Sequence, residues 1–372
     1  MEPFTMNRQF IEQKVIDGFS SLIWTERYYG DSEVEMVVPA SQDMIKALPV
    51  GTFLGLEESD EVMLVDATDI KDDKLKVTGQ ALLPFLNNRF VRTSAAHEDR
   101  YWYIAQMVPG QMLAHIVQQM CIDSPYLNGT IPTGIPNPQI LKIPGLFIKD
   151  YDKGGSNIAV GVPFGPVYDA LREIATTYQV GMQITLESVT DTSYSLGFRS
   201  FRGLDRTSRQ SVNPIVRFSP QMDTLTDIKE VQAISSLKTH AYSFAPSNPD
   251  GLATIPGTDV LTGAAYTGFD LRAMMIFAED VTTDMVGGSA ANLTNILNSR
   301  AHDGITNNHF VKAVDGQIVP QNKFQYGVDY NMGDIIEVQG NSGTISTSRV
   351  TEYIRAQDDA GERAYPTVAM LD

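Results

Sequence analysis

Short alternating apolar runs, each bounded by Gly, Pro, Asp or Asn, recur along both halves of this chain, and they constrain its fold more than any other feature. Residues 20–38, SSLIWTERYYGDSEVEMVV, place Leu22 and Trp24, then Glu33-Val34-Glu35-Met36-Val37, around a Tyr-Gly-Asp turn. That is the pattern of paired strands. VGTFLGL (50–56), EVMLVD (61–66) and KLKVTG (74–79) continue it, and DIKDDK (69–74) reads as a hairpin turn between Val65 and Leu75. GQALLPFLNNRFV (79–91) is more helical and is broken by Pro84. The first ninety or so residues therefore predict a compact β-unit with one helical turn.

Beyond residue 98 the period changes. Tyr103, Ile104, Met107, Leu113, Ile116, Val117 and Met120 recur at helical spacing, and Pro109-Gly110 predicts a split into two helices. Residues 124–165 are rich in Pro and Gly and read as a long irregular excursion. FGPVYDALREIATTYQV (164–180) is a helix with Val167, Ala170, Leu171, Ile174 and Ala175 on one stripe and Pro166 at its start. Strands return at GMQITLES (181–188) and SYSLGFRSF (193–201), joined by a polar turn with Asp191, and continue through PIVRFSP (214–220) and KEVQAISSLKTHAYSFAP (229–246). FDLRAMMIFAEDV and SAANLTNILNSRAHDGI, separated by Gly287-Gly288, read as two helices, and the remainder reads as strands. The order strands, helices, strands thus occurs twice. It predicts an α+β, β-rich chain of two β-domains. The first is 1–97 with 181–225, carrying a helical insertion at 98–180. The second is 226–268 with 306–372, carrying a helical insertion at 269–305.

The 372 residues exceed one ordinary core, which agrees with two domains. There is no apolar run of membrane-spanning length and no secretory leader pattern at the N-terminus, so synthesis and assembly in a cytoplasm is the expectation. The single cysteine, Cys121, makes no intrachain disulfide and reads as a buried thiol. A net charge of −17, from 28 Lys+Arg against 45 Asp+Glu, argues against a nucleic-acid binder, which needs clustered positive charge. It is compatible with a protein past which DNA slides.

Motifs for catalysis, metals and cofactors are missing: no GxSxG, HExxH, GxxxxGK[ST] or CxxC occurs. His97-Glu98-Asp99 reads as a solvated helix start. DYDKGGSN (150–157) opens like a calcium loop but has Gly161 where the bidentate acid belongs. Tyr101-Trp102-Tyr103 is the best aromatic cluster for a sugar, yet three successive residues cannot all face one ligand. The remaining feature is SLGFRSFRGLDRTSR (195–209), with Arg199, Arg202, Arg206 and Arg209 in an otherwise acidic chain. Alternation puts Tyr194, Leu196 and Phe198 on one strand face and Arg199 on the other. The phase shifts by Phe201, through a bulge or a strand end at Gly203. These arginines do not form one flat basic surface. They are expected to pair with carboxylates within the chain or across a subunit boundary.

Four stretches in this order resemble the minor tail proteins of long-tailed phages of the ReqiPepy-type siphovirus family. They are IWTERYYGDSEVEMVVPAS, VTGQALLPFLNNRFV, LGFRSFRGLDRTS, and the ending DYNMGDIIEV…SRVTEYIRA…GERAYPTV. The resemblance singles out Arg199, Arg202, Asp205, Arg206, Gly333, Asp334, Arg349, Glu352, Tyr365 and Pro366 as structural or interface positions. It implies a tail-tip or baseplate hub in the virion, a homotrimer with two β-barrel-like tube domains per chain. The hub would close or extend the tail tube and form part of the DNA ejection channel, with DNA only in transit. Its implied neighbours are the distal tail protein ring, the tape-measure protein and other minor tail or receptor-binding proteins. It implies no enzyme activity, cofactor or metal. The rival expectations are a tail-associated cell-wall hydrolase, for which His97 and Asp99 would be tested, and a carbohydrate-binding receptor module.

Overall fold

A computed structural model of the chain describes residues 1–91, 101–123, 142–190, 193–246, 248–254, 266–279, 281, 290–308, 311–319 and 323–371. The chain divides into two compact units. The first comprises Met1–Thr224, Ile318–Glu337 and Ser348–Ala369, and the second Leu225–Gln317, Val338–Thr347 and Met370–Asp372. Residues 318–337 and 348–369 thus lie with the N-terminal strands, although sequence order groups them with the second domain. The reason is pairing: Ile345–Asp358 runs antiparallel to Ser21–Arg27, with Arg355 opposite Trp24 and Tyr353 opposite Glu26.

Most of the first unit is one large sheet. Its path runs Leu146–Asp150, Ser193–Phe201, Gly181–Thr190, Ser59–Lys71, Lys74–Ala81, Glu33–Pro39, Ser21–Arg27, Ile345–Asp358. Period-two burial explains these strands. Leu22 and Trp24, Val34, Met36 and Val38, and Leu75 and Val77 all point to one buried cluster. Each such side chain contributes about 1.5–3 kcal/mol by leaving water, before the entropy of ordering is counted. The hairpin at Asp72-Asp73 has two consecutive positive φ angles, 51° and 58°, as a tight two-residue turn requires. A second cluster lies under the helices Pro109–Val117 and Val167–Thr177. Met112, Ile116, Leu171 and Ile174 meet Met182, Ile184, Leu196 and Phe198 of the sheet there.

Two helix expectations are corrected. Tyr101–Met107 is a strand, antiparallel to Ile158–Pro163, with Trp102 opposite Val162. Its aromatic and β-branched residues suit a strand, and the helix begins only at Pro109, a favoured first position. The partner Ile158–Pro163 falls in the stretch read as irregular, so both errors have one cause: the pairing is not local. Likewise Ala273–Phe277, within the first expected helix of the second insertion, is a strand parallel to His240–Ala245. Ala290–Thr306 is helical as expected. In the second unit it places Leu297 with Ala245, Ala278 and Val281 in a small core. Residues 124–141 and His97-Glu98-Asp99 lie outside the described residues.

Candidate functional site

The segment after the Ser193–Phe201 strand is held by carboxylates from far along the chain. The strand ends at Phe201 without a register shift against Gly181–Thr190 in that stretch. Gly203 then lies directly on the backbone of Gly333 and Asp334: a Cβ at 203 would come within 2.0 Å of the Gly333 carbonyl carbon. Only glycine allows that approach. Asp334 is 2% exposed and accepts three hydrogen bonds. Its Oδ1 takes one from the Leu204 N–H at 2.7 Å. Its Oδ2 takes others from Arg206 Nε at 2.5 Å and the Asn331 N–H at 3.0 Å. The Arg206 N–H donates to the Ile335 carbonyl, and the Ile335 N–H to the Leu204 carbonyl. Asp205 turns the chain, its Oδ1 accepting from the Thr207 N–H at 2.8 Å.

Glu337, on the same face of the Ile335–Gln339 strand as Ile335, repeats the arrangement one step on. One oxygen accepts from the Ser208 N–H and hydroxyl at 2.9 and 2.6 Å, and the other from Arg217 Nε at 2.7 Å. Burial pushes its carboxyl up, but the bonds from Ser208 and Arg217 outweigh this and hold it below the usual carboxylate value.

Arg349 anchors the other side of Gly333. Its Nη1 donates to the Tyr28 hydroxyl and the Gly333 carbonyl, both at 3.2 Å, and its Nη2 to Gln179 Oε1 at 3.1 Å. The guanidinium lies 5.2 Å from the Tyr28 ring centroid, within cation–π range. Gly333 has φ +86° and a Cβ there would meet Tyr28 Cε2 at 2.5 Å, so both conformation and space require glycine.

The other positions stand apart from this cluster. Arg202 pairs with Asp152 at 2.8 Å, which engages the aspartate of the calcium-loop look-alike. Arg199 donates instead to the Gln183 amide oxygen at 2.6 Å and lies over Phe201, a neutral partner where a carboxylate was expected. Glu352 pairs with Arg27 at 2.7 Å. Tyr365 is half-buried and Pro366 buried on Gly361–Met370, a strand paired to Ile345–Asp358. Sequence reading missed Tyr28, Gln179, Arg217 and Glu337, and the buried Arg355–Glu26 pair at 2.8 Å. No local pattern marks them, because each partner lies more than a hundred residues away.

Cys121 is buried, its thiol pushed up to about 12 by burial. Among the described residues no group of three or more His, Cys, Asp or Glu side chains is arranged to hold a metal. No helix among them is long and apolar enough to cross a membrane.

Such a network of buried ion pairs and glycine contacts fixes backbone positions. No curated protein matches the chain by sequence. Solved structures share its fold over the full length. A tail protein from Neisseria meningitidis MC58 aligns with TM-score 0.55 at 10% identity, covering 100% of this chain and 96% of that one. The 43 kDa tail protein of prophage MuSo2 from Shewanella oneidensis gives 0.54 at 14%, covering 100% and 97%. Prophage tail protein gp18 from Listeria monocytogenes EGD-e gives 0.53 at 10%, covering 100% and 95%. The family described as Siphovirus ReqiPepy6 Gp37-like protein matches residues 5–368, nearly the whole chain, and the chain belongs to that family.

Proposed function

We propose that this protein is a structural component of a phage tail, the tail-tip or baseplate hub that continues the tail tube at its distal end. It is not an enzyme. The observation that carries this reading is the fold shared from end to end with tail proteins, together with the family match over residues 5–368. Three copies, each supplying two tube-type β-domains, form a ring that meets the sixfold tail above. Strand edges left open in one chain are covered by the next copy. The ring contacts the distal tail protein, the tape-measure protein and receptor-binding proteins, and DNA crosses its lumen without being held. The net charge of −17 favours such passage, since each phosphate contact with a basic wall would slow the DNA.

Deletion of the gene in the phage tests this. The expected result is a block in tail assembly, restored by supplying the protein in trans. Normal infectious tails without the protein would overturn the reading, as would a strongly basic lumen in the assembled ring.

A further inference from the structure

The parallel strands His240–Ala245 and Ala273–Phe277 of the second unit carry apolar residues on both faces. One face is covered by the Ala290–Thr306 helix. Ala245 packs with Leu297 there. A Cβ on Gly304 would come within 2.5 Å of Ile276 Cδ1 and 3.3 Å of Met274 Cε, so glycine lets the helix lie close to these two residues.

The other face is open. In the strand register Tyr242 sits beside Met275 and Phe244 beside Phe277, with the two phenylalanine rings stacked at 5.5 Å. Met275 is 60% exposed, Phe277 64% and Tyr242 39%. The same alternation continues back to Leu271, 43% exposed, and Phe269 is fully open on the turn before it. A sheet face that stays in water carries polar residues at such positions, whereas an unbroken apolar run such as Ala273–Phe277 belongs to a strand covered on both sides. Among the described residues, Ala273–Phe277 pairs only with His240–Ala245, so its outer backbone edge is open too.

We propose that this face and edge contact a second copy of the same chain. The area argues for a permanent, self-made contact. At about 200 Å² for each large side chain when fully exposed, Tyr242, Phe269, Leu271, Met275 and Phe277 together offer roughly 600 Å² of apolar surface. That is the upper end of what a soluble monomer leaves open, and most of the about 800 Å² that each partner buries in a stable interface. Contacts between like chains are also the more apolar class. Charge points the same way. Two copies of a chain with net charge −17 repel each other, but Gly268–Phe277 holds one acid, Asp270, and one base, Arg272. Copies can therefore meet here without bringing acids together. The face is read from packing and charge; only its place in a ring of three rests on the tail reading.

The test is sedimentation of the full chain at micromolar concentration, with hydroxyl-radical footprinting of the same samples. The wild-type chain is expected to sediment as an oligomer. F277D and M275D should weaken association by about tenfold or more, and the milder F277S should weaken it less. I70D, at an equally exposed apolar residue of the Ser59–Lys71 strand, should leave it unchanged. In F277D, labelling of Tyr242 and Met275 should rise roughly threefold or more as the face opens. Thermal unfolding of F277D matching that of wild type shows that the open side chain, and not the fold, was changed. A monomeric wild-type chain, or Tyr242 and Met275 shielded only after another protein is added, would overturn the second-copy assignment. An oligomer that F277D and M275D leave intact would overturn this face while leaving the ring of three standing, and the deletion experiment on the tail role is independent of either result.

Discussion

Asp334 shows how much one carboxylate can organise. It satisfies the Leu204 and Asn331 amides and the Arg206 guanidinium while almost fully buried. Removing one member of such a pair leaves the other buried and unpaired, at a cost of about 3–5 kcal/mol. R206A and D334A should each lose that much in urea unfolding, and losses below about 1 kcal/mol would show that the pair is not structural. G203A should be at least as damaging, because its Cβ would strike backbone and not a flexible side-chain end. At Glu61, pushed up by burial and then by the Glu26 carboxylate, the effect is one of pH. Its folded value of about 8 lies above its ordinary 4.5, so its contribution to stability is fully present below about 4.5 and is lost as pH rises through about 8. E61Q cannot lose a proton. The stability of wild type minus that of E61Q should therefore fall across this window, and a flat difference would contradict the account. The arginine cluster was legible in the sequence; its partners were not. Arg206 and Asp334 lie 128 residues apart, and no local spacing reports such a pairing.

Elements were legible where burial follows a simple period. Glu33–Pro39 alternates buried and open positions along its length, and Val167–Thr177 buries one stripe. The reading failed where a strand's partner was distant. Tyr101–Met107 has apolar residues that satisfy a helical template over a short window, and only pairing with Ile158–Pro163 decides the matter. Ala273–Phe277 is the same case, a short apolar run made a strand by His240–Ala245. Hydrogen exchange separates the alternatives. V160P should remove backbone protection at 102–107, opposite the substituted residue, while leaving 21–39 protected. Retained protection at 102–107 would mean that the segment does not depend on that strand.

At the scale of the whole molecule, the order of motifs pointed to the family that the full-length match then showed. Composition alone could not have done so: an acidic, cysteine-poor chain of this length excludes classes but selects none. The assignment of certain C-terminal strands to the first unit was out of reach, because sequence order does not reveal that Ile345–Asp358 returns to Ser21–Arg27. What the chain does in the virion follows from where it sits. Cryo-electron microscopy of isolated tails locates it directly. The account predicts three copies in a closed ring at the distal end of the tube, around an acidic lumen. Tails in which the protein is absent from that end, or present there as an isolated single copy, would contradict it.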